Sequence, residues 1–359
     1  MNLAVLSSPG IRRILLSRYL DPVWAIVIAL ACGSLLLIVT GHDPLLAYRE
    51  WIERAMLRPV GLQETVVRAI PLMIAGSAVL LAMRAGIWNV GVDGQVLVGA
   101  LAAAVTANAL GDLSRIVLWA SAVIAGALAG AAWATIPALL RGRLGINDIV
   151  TTIMFNYVAI SLTSWLVKGP LGDPNVVSPQ TPLIERTMRF ATLADTRIHL
   201  GIVVSVTVVV VLGWFLSRTV AGFELRTTGS SPKAAKHSHI PVQAYFVAAL
   251  IASGAIAAIA GANDVLSTKG TFQGGWNPSY GFVAFALVFL GQRSIIGLIP
   301  AALVFGQLSY AADVMPRAAG IAPAFFQVIE GMLLITLAVT VWARSSGARP
   351  IRFKTRVAE

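Results

Sequence analysis

Charge is what this chain has least of. Only 12% of its 359 residues are Asp, Glu, Lys or Arg, about half the share of a soluble domain. No hydrophilic stretch is long enough to fold as a separate soluble domain. Cysteine is nearly absent: the single Cys32 lies inside an apolar run, which excludes a disulfide framework and thiolate metal clusters. There is no G-x-x-x-x-G-K-[ST] loop to cradle ATP phosphates, and no HExxH or Ser/His/Asp set. The expectation is a non-catalytic chain with no cofactor-binding residues and no metal site of its own.

What remains is apolar: 57% hydrophobic, with a mean hydropathy of +0.80. This predicts an all-α polytopic membrane protein, because only helices and closed barrels satisfy their backbone in lipid. The net charge of +11 would suit nucleic acid if it were clustered. The basic residues instead sit at the ends of apolar segments, which fits membrane orientation and no nucleic-acid partner.

Apolar windows with charged or Pro/Gly borders predict ten crossings, near 23–40, 65–83, 95–110, 116–139, 148–167, 200–217, 242–262, 281–291, 295–312 and 323–343. The first could be a secretory signal, but it is long enough to span and no small-residue cleavage site follows it, so it reads as retained. The eighth is too short to span unaided. It is either a half-helix or runs on through Gly291 into its neighbour. With the N-terminus inside, 16 of the 27 Lys and Arg fall on the cytoplasmic side and 11 outside, so both termini are expected to be cytoplasmic. The predicted organisation is a cytoplasmic N-terminus (1–22), a transmembrane domain (23–343) holding a cytoplasmic loop at 218–241, and a basic cytoplasmic tail (344–359).

Three outer segments stand out. Leu45–Met56 puts Trp51, Ile52, Ala55 and Met56 on one helical face, as an interfacial helix would. Lys168–His199 is the longest external loop, and Asn263–Tyr280 is a polar, Gly-rich hairpin-like loop. Gly86-Ile87-Trp88-Asn89 and Gly274-Gly275-Trp276-Asn277 share G-x-W-N on opposite sides of the predicted membrane, as an inverted internal repeat requires. Four residues are equally compatible with chance.

The segment Arg84–Gln95, RAGIWNVGVDGQ, places glycines, amides and a carboxylate between two apolar runs. Irregular backbone at membrane depth survives only where protein or a watery path satisfies it, so a translocation path is one reading. Asn89, Asp93, Gln95 and Asn156 are its candidate lining residues. For Asp93 the alternative is an interfacial carboxylate that caps the following helix. In Leu144–Tyr157, Gly145, Asn147 and Asp148 signal a helix start, while Thr152 and Asn156 share one face and could line a path or bond to a neighbouring helix. Gly126 and Gly130, at G-x-x-x-G spacing, predict close helix packing. Gln307, Gln327 and Glu330 are expected to be buried in the late spans, with Glu330 either a path residue or a hydrogen-bonding one.

Between Arg218 and Pro241, Ser231-Pro232-Lys233-Ala234-Ala235-Lys236 carries a cap, a first-turn proline and helix formers. It predicts one or two helical turns outside the membrane, either a solvated topogenic loop or a helix offered to a partner. His237 and His239 are not at helical ligand spacing, so a metal there is not expected.

Taken in order, these pieces resemble the permease subunits of bacterial ABC importers for ribose-type simple sugars and, more closely, nucleosides. The likeness runs from Tyr48 almost to the last span. It rests on Glu64–Ala100, where family members carry a similar FNIGxEGQ run, on LRGRLGINDIVTTIMFNYVA (Leu140–Ala159) and the following KGPLGDP, on Thr228–Ile240, and on Gly281–Leu308. The resemblance implies a translocation subunit paired with a second, homologous and non-identical permease. It also implies a cytoplasmic ATPase that holds ATP and Mg²⁺, and an extracytoplasmic substrate-binding protein, all at the bacterial inner membrane. It makes Gly229, Ser231, Pro232, Lys233, Ala234, Ala235 and Lys236 the coupling element for the ATPase. Ser231 departs from the family's usual Asn, Ser238-His239-Ile240 from its Ala-Gly-Ile, and Asp93 from its Glu. A proton-coupled secondary transporter using Asp93 or Glu330 is the alternative from another class. A third reading, a non-transporting scaffold, leaves the polar break without a purpose.

Overall fold

The computed structural model describes residues 9–111 and 113–346. Asp112 and most of the expected basic tail, from residue 347 on, lie outside the described residues. The chain divides into two compact units, one of Met1–Glu50 with Ala312–Glu359 and one of Trp51–Ala311.

In the first unit, α1 (Pro9–Val39) packs against α13 (Ala324–Ser346). The expected first span is the apolar half of a longer helix, for α1 begins well before residue 23 and carries Pro22 in its interior. Gly33 marks a close approach, since a Cβ there would meet the Tyr48 hydroxyl at 2.9 Å and Phe325 and Ile329 at 3.3 Å. The Tyr48 hydroxyl donates to the Leu30 carbonyl at 2.7 Å. Asp43 caps α2 (Pro44–Trp51), accepting from the Leu45 amide at 2.8 Å. Phe326 and Ile329 take the packed face of α13, which leaves Gln327 exposed and Glu330 half-buried. The expectation that Gln327 is buried is thus corrected.

The second unit is built around α3 (Pro59–Arg84), which is buried on all sides over most of its length. Against it pack α4 (Val92–Ala109), α7 (Gly201–Arg218), α10 (Val242–Asp264) and α11 (Tyr280–Leu290), while α5 (Arg115–Leu144) packs on α4 and α10 and α6 (Asp148–Lys168) on α4 and α5. The helix α12 (Ile295–Ala319) follows α11 in the chain, and its residues up to Ala311 belong to this unit. Eight helices are long and apolar enough to cross a bilayer, and two shorter apolar ones, Tyr280–Leu290 and Ala324–Val339, bring the described residues to the expected ten. Large apolar side chains such as Leu128, Trp165 and Trp214 are exposed on α5, α6 and α7. In water such a surface would be an aggregation site. In a bilayer it is the lipid face of a polytopic helical protein.

Small residues set the spacing of α4, α5 and α10. Gly126 of α5 lies against Gly99 of α4 and Ala262 of α10, Gly130 lies against Ala258 and Gly254, and Gly254 lies against Ala134. Helices cannot approach in this way with larger side chains, and in lipid such packing replaces the hydrophobic drive for association. The small-residue spacing of Gly126 and Gly130 therefore serves the packing expected of it.

One feature differs from the sequence reading, and one of its open alternatives is resolved. The predicted interfacial helix gives way after Trp51 to a π-helical turn, Ile52–Leu57, and the extra residue per turn breaks the shared face. Trp51 and Ala55 point inward while Ile52 and Met56 are exposed. The short eighth segment is a separate half-helix. Beyond α11, Gln292 and Arg293 both take left-handed backbone (φ 54° and 56°) and end it before α12.

The two polar loops form one structure on the side where α6 ends and α7 begins. Thr181 N–H donates to Phe272 C=O at 2.9 Å, Ile184 N–H to Gly270 C=O at 2.8 Å and Phe190 N–H to Leu266 C=O at 2.7 Å. Trp119 Nε1 of α5 donates to the Met188 carbonyl at 2.8 Å and ties the loops to the bundle. His199 is buried beneath them, stacked on Phe190. Burial pushes its pKa down to about 4.

Candidate functional site

The polar break begins with a helix ending that only glycine adopts easily. Gly86 has φ +80°. Its N–H bonds Met83 C=O, and the Ile87 N–H reaches back to Ala82 C=O at 3.0 Å, the paired bonds of a Schellman motif. Ile87 is fully buried. The next residues have no helix or sheet partners, and three polar side chains of α6 supply them. Asp148 accepts from the Trp88 N–H at 2.8 Å, and Thr152 Oγ1 accepts from the Val90 N–H at 3.2 Å. Asn156 accepts from the Gly94 N–H and donates to Val90 C=O, both at 2.8 Å. Positions 148, 152 and 156 are four apart and so form one stripe along α6.

Asn89 and Gln95 close the other side. Asn89 Nδ2 donates to Gln95 Oε1 at 2.9 Å and to Ser253 Oγ of α10 at 2.8 Å, and Asn89 Oδ1 accepts from the Gly91 N–H at 3.1 Å. Ser253 Oγ in turn donates to the Ala78 carbonyl of α3 at 2.7 Å. Asn89 and Gln95 are essentially inaccessible. A buried polar group without a partner costs roughly 2–7 kcal/mol in an apolar medium, and this network removes that cost for a non-helical stretch between α3 and α4. The four candidate path residues are thus brought together, and their hydrogen bonds go to the protein.

Asp93 holds a helix, but a different one from that expected. It is buried inside the unit, and the N-cap position of its own helix is Gly91, which has no side chain to cap with. Its Oδ1 accepts from the Gly281 N–H at 2.7 Å, in the first turn of α11 and 188 positions away. The G-x-W-N echo reappears here in local geometry. Asn277 Oδ1 accepts from the Ser279 N–H at 3.0 Å as Asn89 does from Gly91, and each turn opens a helix one residue later. The two helix starts meet at the Asp93–Gly281 bond.

The segment between α7 and α10 folds as two helices, α8 (Val220–Ser230) and α9 (Pro232–His237). Ser231, extended at φ −155°, accepts from the Ala234 N–H at 3.3 Å, with Pro232 in the first turn. Serine is among the residues that cap helices best. Ala235 is buried, whereas Pro232, Lys233, Ala234 and Lys236 are exposed. Gly229 lies backbone to backbone against the end of α3: a Cβ there would collide with the Arg84 carbonyl and sit 2.8 Å from Gly86 N. The turn that opens the polar break is therefore also the seat of the α8–α9 segment. Trp88, in the same turn, stacks on Phe285 of α11 at 5.9 Å, and Arg84 donates to the Arg293 carbonyl at its far end.

Sequence reasoning missed Ser253, the bond from Asp148 to the break, and a polar group around Arg68. Arg68 is the one charge between Glu64 and Arg84, and an ionisable residue inside a span is itself a functional signal. It donates to Ser309 Oγ at 3.3 Å and faces the Tyr310 ring. Nearby, Tyr280 of α11 donates to Asp264 Oδ2 of α10 at 2.6 Å.

Comparison with known proteins places the chain. It is 31% identical over 89% of its length to a glucose ABC transporter permease protein of Haloferax volcanii, of which it covers 87%. It is 30% identical over 90% to a guanosine ABC transporter permease protein of Bacillus subtilis, covering 94% of it. A nucleoside ABC transporter permease protein of Lactococcus lactis is 27% identical over 90%, with 91% of it covered. Residues 61–338, nearly all of the second unit and residues 312–338 of the first, match one family model, and the chain belongs to that family, the permease component of branched-chain amino acid transport systems.

Proposed function

We propose that this chain is the translocation subunit of an ATP-driven importer that carries nucleosides across a bacterial inner membrane. It works beside a second, homologous permease, receives solute from an extracytoplasmic binding protein, and is driven by a cytoplasmic ATPase that holds the ATP and Mg²⁺. The observation that carries the coupling part is α9. It is a capped helix of six residues with an exposed basic surface, and the neighbouring Gly229 rests on the turn that starts the polar break. Movement of α9 by the ATPase would be passed directly to that turn and to α11, a two-state switching of a packed element. Asn89, Asp93, Gln95 and Asn156 stand beside the path and hold its wall in shape. The nucleoside assignment draws on the guanosine and nucleoside permeases among the relatives.

Replacing Pro232–Lys236 by a Gly/Ser linker leaves an inserted protein that no longer links ATP hydrolysis to uptake in proteoliposomes containing the complete complex. Unchanged ATP-driven uptake in that variant sinks the proposal. The glucose permease among the relatives favours a simple sugar as the second reading, and uptake of labelled guanosine against labelled ribose and glucose decides between them.

A further inference from the structure

Within the second unit, polar groups gather about 24 Å along α3 from the Arg84 end, at 1.5 Å per residue. Tyr280 and Asp264 join the first residue of the half-helix α11 to the last residue of α10. Arg68 lies close enough for its charge to act on the Tyr280 phenol. On α12, one end of the Gln307 amide meets Thr65 of α3, and the other end is buried with no hydrogen-bond partner among the described residues. Gln307 is only 7% exposed. A scaffold in lipid fills such a region with apolar side chains, because each unmatched polar group is a penalty. Here a carboxylate is closed by a single hydroxyl, and an amide is left half-used.

We propose that Asp264 and Tyr280, with Gln307 held against Thr65 one turn of α3 from Arg68, form a solute-contacting gate, opened when a hydroxyl of a neutral, polyhydroxylated solute replaces the Tyr280 hydroxyl on Asp264. The proposal rests on the importer reading above. Exchanging one hydroxyl donor for another conserves the hydrogen bond on the carboxylate, so the gate opens at little net loss for a ribose or hexose. An aliphatic amino acid side chain brings no such donor and leaves Asp264 unpaired. A hydroxyl also both donates and accepts, so it satisfies the free end of the Gln307 amide whichever atom that is. The carboxylates of Asp264 and Asp93, which hold adjacent residues of α11, disfavour a phosphorylated solute. Freed at Tyr280, α11 can turn at its ends, where Ser279, Gln292 and Arg293 already hold left-handed backbone.

The test uses the complete complex in proteoliposomes, with receptor saturated by guanosine or by its 2′,3′-dideoxy analogue. Asp264→Asn is expected to cut guanosine uptake at least 10-fold while changing uptake of the dideoxy analogue less than 2-fold. Tyr280→Phe, a smaller change that keeps the ring, is expected to raise ATP hydrolysis without loaded receptor several-fold. If both variants keep the wild-type ratio of the two solutes and wild-type basal hydrolysis, the gate is overturned. Should Asp264→Asn fail to assemble, Tyr280→Phe decides alone. As an independent reading, Gln307→Cys in a Cys32→Ala background should react with a small water-soluble thiol reagent, and loaded receptor should slow that reaction at least 3-fold. A thiol unreactive in every nucleotide state overturns the proposal. Failure of the wild-type chain to bind an ATPase strikes the importer reading instead, and wild-type uptake of sugar without nucleoside strikes only the nucleoside assignment.

Discussion

Asp148 illustrates how much of this protein is decided one side chain at a time. As a helix-start residue it needs only solvent, yet it also accepts the Trp88 N–H and lies 3.8 Å from Arg141. Replacing it with alanine leaves that amide without a partner, a loss of about 1–3 kcal/mol. We expect Asp148→Ala to lower the unfolding temperature in detergent measurably, with Asp148→Asn recovering most of it. Asp93 gives a sharper comparison, because an asparagine oxygen can still accept from Gly281. Asp93→Asn should support assembly and Asp93→Leu should not, as read by yield of monodisperse protein. His199 makes stability depend on pH. Its native pKa of about 4 lies below the ordinary 6.5, so between those values the unfolded chain binds the proton and the native one does not. Stability is then complete above about pH 6.5 and falls on acidification toward pH 4, by roughly 3 kcal/mol in all. Unfolding temperatures of the wild type and His199→Gln should converge across that window, and parallel curves would remove His199 as the cause.

At the level of elements, the informative pieces are the short ones. Eleven residues make α11 too short to cross a bilayer, and both ends stop at left-handed residues other than glycine. Its starting turn is held by Asp93 and its far end by Arg84, so it is clasped rather than threaded. The six residues of α9 could not hold a helix alone in water. They do so through the Ser231 cap and the buried Ala235. Gly229 brings α8, on which α9 packs, against the end of α3, and its neighbour there is backbone, which cannot swing aside. Gly229→Val should therefore leave the membrane helices inserted, yet lower ATP-driven uptake about 10-fold or more at normal expression. Wild-type uptake in that variant would falsify the direct contact as the route of coupling.

Over the whole molecule, ten apolar segments, the helix start at Asn147, the helix at Pro232 and the small-residue stripe of α5 could all be read from the chain. Each depends on local composition or on spacing within one helix, which hydrocarbon enforces without reference to neighbours. The polar break was visible too, but its purpose was not. Whether Asn89, Gln95 and Asn156 face a solute or one another depends on where α6 and α10 lie, and no periodicity within Arg84–Gln95 records that. The bond from Asp93 to Gly281 joins residues 188 positions apart, and Tyr280 gains its partner Asp264 only when the loop between them folds back. By itself, then, the sequence determined a helical membrane protein, its apolar segments and the short capped helix at Pro232, because lipid tests each segment for apolarity and internal hydrogen bonding. Only the tertiary structure decided which buried polar groups find partners in the protein, because that balance is struck between helices.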